Sequence, residues 1–337
     1  MPTVPDHSTP TASAVAPADS RTRVAVVGAG TIGVGWAVAL ARGGCEIRLH
    51  DSDPARLETA LAEARTILVR LGANGLLEET PEAIASRIDA RRDLIDALDG
   101  AAHVQECGPE DRAVKIALFA RLGEAADAAS TIASSSSGMP ISQVAGGLQG
   151  RSRMLVAHPA NPPYLLPVVE IVAAPFTRPS AVAQVRSLLE QAGLSPVCLT
   201  RELEGFALNR LQGAVLREAY CLLRDGILEV DEIDRLVRDG LGRRWALIGP
   251  FETSDLNTRG GLTRHAEVMG PAYARMGAER GQADRWTLEL VAEATRQRRE
   301  LLPLERWEER VRWRDEALMR LERARREVER LDGVPPR

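Results

Sequence analysis

The sequence predicts two domains of different class, an α/β domain built on a parallel sheet followed by an all-α domain. Three observations lead there. Short β-branched runs alternate with helical patterns from Arg23 to Leu199, and the first run opens directly into a glycine-rich turn. From about residue 205 onward the strand signal ceases and helical patterns continue. The expected organisation is a tail at 1–20, an α/β domain at 21–200 and a helical domain at 201–337.

Taken in order, residues 1–20 are rich in Pro, Ala, Ser and Thr and lack both a basic start and an apolar run. That predicts a disordered tail rather than a signal peptide. Arg23-Val24-Ala25-Val26-Val27 is the first strand. It enters Gly28-Ala29-Gly30-Thr31-Ile32-Gly33, and a helix follows through Trp36, Ala39 and Leu40 to Gly43-Gly44. Cys45 to His50 is the second strand, and Asp51-Ser52-Asp53-Pro54 opens an amphipathic helix to about Leu71. A second helix over about 80–97 completes a helical hairpin inserted between strands. Strands then fall at His103-Val104-Gln105-Glu106, at Ser130 to Ala133, around 153–157 and 167–172, and near 196–199. Helices begin near Glu110 and at Ser180. The segment 305–331 is charge-dense, with Trp307, Val311, Trp313, Leu318 and Leu321 at helical intervals. It reads as an amphipathic helix packed on its own domain or on a dimer mate.

Composition narrows the function. With 337 residues and 45% hydrophobic content the chain can bury a large core. Its net charge of −4 is carried by interspersed acidic and basic residues, which argues against nucleic acid and anionic membranes as partners. No apolar run is long enough to cross a bilayer. Cys45, Cys107, Cys198 and Cys221 lack metal-ligand spacing and read as reduced thiols of a cytoplasmic protein. None of the five histidines is paired at short helical spacing, so no metal site is expected. Lys115 is the only lysine among 43 basic residues. A codon bias toward arginine explains the rest, but not why this one persists.

The glycine turn is the signature of a Rossmann-type dinucleotide-binding domain: strand, turn, helix and strand within roughly thirty residues. Gly28 allows the tight turn, Gly30 lets the backbone approach a pyrophosphate, and Gly33 lets the helix pack on the strand. The anion would rest on the first N–H groups of the helix that Thr31 and Ile32 open. Asp51 ends the second strand about twenty residues on, where a carboxylate accepts from ribose hydroxyls and repels a 2′-phosphate. NAD is therefore expected over NADP, although Arg48 and Arg56 lie near; FAD is the competing dinucleotide.

What the loop lacks is a proton-transfer group, and Ala157-His158-Pro159-Ala160-Asn161-Pro162-Pro163 supplies one. Imidazole titrates near neutrality and can take an alcohol's proton. Glu170 is a carboxylate able to hold the ring in one tautomer. The apolar runs Met154-Leu155-Val156 and Leu165 to Val169 read as strands ending at one sheet edge, which places the pair there.

Five segments carry a family resemblance: VAVVGAGTIG (24–33), QECGPEDRAVK (105–115), ASSSSGMPIS (133–142), AHPANPPYLLPVVEIV (157–172) and EGFALNRL (204–211). Together they resemble the L-3-hydroxyacyl-CoA dehydrogenase superfamily. HPANPPY, GLGRRWALIGPFETSDLN (240–257) and RWRDEALMRL (312–321) are similar to its lambda-crystallin branch, whose enzymatic member is L-gulonate 3-dehydrogenase. The resemblance implies His158 as catalytic histidine and Glu170 as its carboxylate partner. It implies Ser137 as hydrogen-bonding the substrate C3 oxygen and Asn209 as facing the same site from the helical domain. Glu110 and Lys115 fall at positions near the nicotinamide-side ribose, where a compact ammonium is not replaced by a guanidinium fork. Ser135 stands where acyl-CoA members have an asparagine near the nicotinamide.

The expected activity is NAD-dependent oxidation of the 3-hydroxyl of a small hydroxy acid, L-gulonate first. Carnitine, 3-hydroxybutyrate and 3-hydroxyacyl-CoA such as 3-hydroxybutyryl-CoA are the alternatives. The resemblance also leaves open a crystallin-like structural or binding role. Specificity groups are expected around Arg243, Arg244, Trp245 and Glu252. A homodimer is expected through the helical domain, with Phe206, Leu211, Val215, Leu222 and Leu223 on the contact face.

Overall fold

The computed structural model describes residues 21–73, 75–280 and 288–310, together with Trp313, Ala324 and Glu327. Strand β1 (Arg23–Val27) is buried at its last four positions, as a strand covered on both faces must be. After it come α1 (Thr31–Arg42), β2 (Glu46–His50), α2 (Pro54–Ala73), α3 (Pro81–Ala85), β3 (Ile88–Arg91), α4 (Leu94–Leu98) and β4 (His103–Glu106). Then follow α5 (Arg112–Ala125), β5 (Thr131–Ser134), α6 (Ile141–Ala145), β6 (Met154–Pro159), β7 (Val168–Val172), α7 (Pro179–Gln191) and β8 (Ser195–Leu199). One eight-stranded sheet results, in the order β3-β2-β1-β4-β5-β6-β7-β8. All neighbours pair in parallel except β6 and β7, which are antiparallel. One face is covered by apolar residues such as Trp36, Leu40, Leu57 and Leu189, the other by Leu98, Phe119, Leu122 and Ile141. The expectation of an α/β domain followed by helices is met.

The helix expected over about 80–97 does not exist as one element. Thr80 caps the short α3, Ser86 ends it, and Ile88–Arg91 becomes the edge strand β3, paired with β2 in the register Ile47↔Ile88. Asp93 then caps α4 by accepting from the N–H groups of Ile95 and Asp96. The apolar spacing of Ile84, Ile88, Leu94 and Leu98 suits a helix, but the open edge of β2 offers four residues a hydrogen-bonding partner that no local propensity records.

Strand order reverses at β1 and β4, so a crevice opens above their carboxyl ends, the usual ligand position in an open α/β sheet. Gly28 has φ +103°, and a Cβ there would lie 2.6 Å from the Cys107 carbonyl oxygen. Gly33 is tighter still, since its Cβ would fall 1.9 Å from the Gly28 carbonyl oxygen.

The chain divides into two compact units after Gln212, a boundary that lies within α8 (Leu208–Arg224). The second unit holds α9 (Val230–Arg235), α10 (Arg243–Trp245), α11 (Pro250–Asn257), α12 (Gly261–Glu279) and α13 (Leu288–Leu301). Its centre is Ile248, Leu256 and Leu302, with Trp307 packed against them. The Trp307 indole also donates to the Asp255 carbonyl at 2.8 Å. Most of 311–337 lies outside the described residues. Glu252 is paired with Arg310 at 2.5 Å. No helix among the described residues is long and apolar enough to cross a membrane.

Phe206 is a second correction. It is fully buried in the sheet core and cannot be on a contact face. Gly205 (φ +71°) and Phe206 (φ +48°) form a left-handed turn before α8 begins, so helical spacing does not extend back to them.

The contact at Gly33 yields a test. Gly33→Ala should destabilise the protein by about 1–3 kcal/mol, because the clash is with backbone that cannot swing aside. Urea unfolding without added cofactor should show a lower midpoint at unchanged slope; an unchanged midpoint would contradict the close approach.

Candidate active site

The dinucleotide side is built from backbone. α1 starts at Gly30 with no side-chain cap, leaving its first N–H groups directed at the crevice. A Cβ on Gly30 would meet no protein atom within 4 Å. The glycine therefore leaves room for something above the helix end, as the pyrophosphate of a dinucleotide requires. Asp51, at the end of β2, accepts from the N–H of Ala29 at 2.7 Å and of Asp53 at 3.0 Å, which fixes its carboxylate beside the loop. The two nearby arginines are engaged elsewhere. Arg56 binds the Ala29 carbonyl and grips Glu63 with both terminal nitrogens, while Arg48 donates to the Asp96 and Asp99 carbonyls. These residues fit NAD. Thr31 faces a neighbouring groove together with Glu63 and Tyr164.

Across the strand reversal lies a cavity of about 330 Å³ lined by Ile32, Glu110, Lys115, Ser137, His158 and Asn161, among others. His158 and Glu170 are direct cross-strand partners in the antiparallel β6–β7 pair. Nδ1 of His158 is 2.8 Å from Oε2 of Glu170, and both residues are buried. A carboxylate oxygen accepts, so Nδ1 carries the proton and Nε2 keeps its lone pair for the cavity. The other Glu170 oxygen accepts from the backbone N–H of Ala207 (2.7 Å) and Leu208 (2.9 Å), which the Gly205-Phe206 turn aims at it. The Phe206 ring packs tilted against the imidazole, with centroids 5.7 Å apart.

Two hydroxyls of the serine loop are held by carboxylates. Ser134 Oγ donates to Glu106 at 2.8 Å, and Ser136 Oγ donates to Glu110 while accepting from the N–H of Met139. Lys115 is buried with Nζ 2.9 Å from both oxygens of the buried Glu106, and Glu110 lies at 3.6 Å. Glu106 also accepts from the N–H of Gly108 at 2.6 Å, so this ion pair shapes the loop after β4. Asn209 donates to the backbone carbonyl of Ser137 at 2.5 Å.

The structure thus brings Ile32, Glu110, Lys115, Ser137 and His158 to one cavity, with Glu170 behind the histidine and Asn209 on the Ser137 backbone. Reading the sequence missed Glu106, although its pairing with the one lysine nine residues on was available. It also missed Asn161 as a lining residue, and the Ala207 and Leu208 N–H groups, which no side-chain pattern marks.

Two family models match the chain: the 3-hydroxyacyl-CoA dehydrogenase NAD binding domain over residues 23–203, and the C-terminal domain of the same family over 205–300. A lambda-crystallin homolog of Bos taurus is 42% identical over 267 residues, covering 76% of this chain and 83% of that protein. An L-carnitine dehydrogenase of Streptomyces griseus is 38% identical over 266 residues, covering 77% of each. Among solved structures, 5-formyl-3-hydroxy-2-methylpyridine 4-carboxylic acid 5-dehydrogenase, an NAD+-dependent dismutase, superposes with TM-score 0.69 at 28% identity, covering 85% of this chain and 98% of that one. Glycine loop, dinucleotide crevice and matched domains converge: this chain belongs to the 3-hydroxyacyl-CoA dehydrogenase family and is an NAD-dependent oxidoreductase.

Proposed function

We propose that the enzyme oxidises the 3-hydroxyl of a small free 3-hydroxy acid, with L-gulonate the first substrate to test. The cross-strand pair His158–Glu170 at the cavity wall carries this reading. Nε2 of His158 takes the hydroxyl proton, and Glu170 stabilises the imidazolium through Nδ1–H. NAD supplies the hydride acceptor when bound. Ser137 donates to the C3 oxygen, and Asn209 holds the Ser137 backbone in place. Lys115 and Glu110 bind the nicotinamide-side ribose, with Glu106 and Ser136 fixing their positions. The polar groups on the cavity wall, Glu110, Lys115, Ser135, Ser137 and Asn161 beside His158, suit a hydroxylated acid. L-carnitine is the second reading, supported by the relative of that activity. A panel of L-gulonate, L-carnitine, 3-hydroxybutyrate and 3-hydroxybutyryl-CoA, followed by NADH absorbance, decides among them. Turnover of none would favour a crystallin-like binding role.

His158→Ala should abolish turnover and leave NAD affinity unchanged. Glu170→Gln should lower kcat by roughly 10²-fold or more, because an amide offers one acceptor oxygen to three donors. Folded variants with wild-type turnover would remove the pair from the mechanism.

The unmodified enzyme should show a higher kcat/KM with NAD than with NADP, and Asp51→Ser should narrow the gap. Equal values in the unmodified enzyme would refute the role of Asp51.

We also infer a homodimer through the helical segments. α8 has no buried residue, with Leu211, Leu216 and Tyr220 exposed, and α12 exposes Val268, Tyr273 and Met276. Apolar faces of this extent mark association surfaces, and two-fold pairing is the commonest way to cover them. Light scattering at micromolar concentration should give twice the 36.5 kDa chain mass; the mass of a single chain would rule the dimer out.

A further inference from the structure

Ser135 sits in the cavity wall beside Ser137 and His158, and its hydrogen bonds have a fixed direction. The Trp36 indole Nε1–H, which can only donate, is 3.1 Å from Ser135 Oγ. The Gln105 amide nitrogen is 2.7 Å from the same oxygen. That nitrogen also donates to the Ala157 carbonyl at 3.3 Å, and the amide oxygen lies 3.1 Å from His103 Nε2. These contacts leave Gln105 one orientation. His103 is fully buried, and burial pushes its pKa down to about 4, so the ring is neutral. Its Nε2–H donates to Gln105, and its Nδ1 accepts from the Thr131 hydroxyl at 2.8 Å. Thr131, His103, Gln105 and Ser135 therefore form a one-way relay, with Trp36 as a second donor at its end.

A serine oxygen has two lone pairs, and here both accept. Its one proton must then be donated outward. The protein acceptor in reach is Cys107 Sγ at 3.2 Å, a weak one that burial keeps as a neutral thiol. Position indicates the stronger acceptor. Asp51 on β2 marks the adenosine half of the crevice, so the second nucleotide half lies over β4 and β5 beyond the strand reversal. Ser135 is wedged there, between α1 and the end of β4. The nicotinamide ring offers one neutral oxygen acceptor, its carboxamide carbonyl.

We infer that Ser135 is an obligatory hydrogen-bond donor to the carboxamide oxygen of bound NAD, and that Thr131, His103, Gln105 and Trp36 are positioning residues that fix its polarity. The inference rests on the cavity being the nicotinamide side of the site, as in the proposed function, but not on the identity of the hydroxy acid.

The test is binding, measured by calorimetry on the full-length protein without substrate, so it reads independently of turnover. The probes are NAD, its thionicotinamide analogue, in which sulfur replaces the acceptor oxygen, and its 3-acetylpyridine analogue, which keeps the oxygen and loses the amide nitrogen. The unmodified protein should bind the thionicotinamide analogue roughly tenfold more weakly than NAD, the loss of about one hydrogen bond. Ser135→Ala should weaken NAD and the acetylpyridine analogue by a similar factor and the thionicotinamide analogue by less than about twofold. Ser135→Thr should restore NAD binding, and Trp36→Phe, which removes one donor and keeps an aromatic ring, should give an intermediate loss for NAD and the acetylpyridine analogue, sparing the thionicotinamide analogue. Equal losses for all three dinucleotides would make Ser135 a structural residue and overturn the proposal. Equal affinity of the unmodified protein for NAD and the thionicotinamide analogue would overturn it without any variant. Failure of every hydroxy acid in the turnover panel, with the binding pattern intact, would sink the substrate reading and leave this one standing.

Discussion

A single buried carboxylate organises the active side of this molecule. Glu170 is 2% exposed, and an ionised carboxylate taken that far from water costs several kcal/mol unless donors surround it. Its two oxygens collect three: Nδ1–H of His158 and the N–H groups of Ala207 and Leu208. Meeting that demand fixes the antiparallel register of β6 and β7, the tautomer of the histidine and the path by which the chain leaves the sheet. Phe206 sits at φ +48°, which costs about 1–2 kcal/mol for a residue with a side chain. Burial of its ring beside the imidazole offsets that strain, at about 1.5–3 kcal/mol for a buried aromatic.

The same requirement explains why polar residues stand at both ends of β4 and β5, in a doubly covered sheet whose strands are normally apolar. Glu106, Lys115 and Ser134 form one satisfied group, and His103, Gln105 and Thr131 another. Each is buried, the first completed by Lys115 from α5 and the second continued by Ser135 after β5. Half of either set would be worse than none, because an unpaired partner in the core keeps its full desolvation penalty. The two sets therefore stand or fall as units.

Much of this was legible in the sequence because it follows short-range rules. β1, the glycine turn and Asp51 lie within about thirty residues, and the turn requires glycine for reasons of space alone. His158 and Glu170 were legible as a pair because two apolar runs frame them. What escaped reading is tertiary. Ile88–Arg91 is a strand only because β2 has a free edge, and its own residues favour a helix. By spacing alone Phe206 falls on a helical face, because helical spacing cannot register a left-handed turn two residues before the helix starts. Trp36, Gln105 and Ser135 come together from three separate elements, and no spacing rule connects them.

Lys115 has a practical consequence for handling the protein. It carries the only ε-amine in the chain, and it is 1% exposed against Glu106. Reagents that acylate or cross-link lysine will find no side-chain target on the folded surface. Any label that does reach residue 115 records an opening of the segment from β4 to α5, which gives the fold its own chemical reporter.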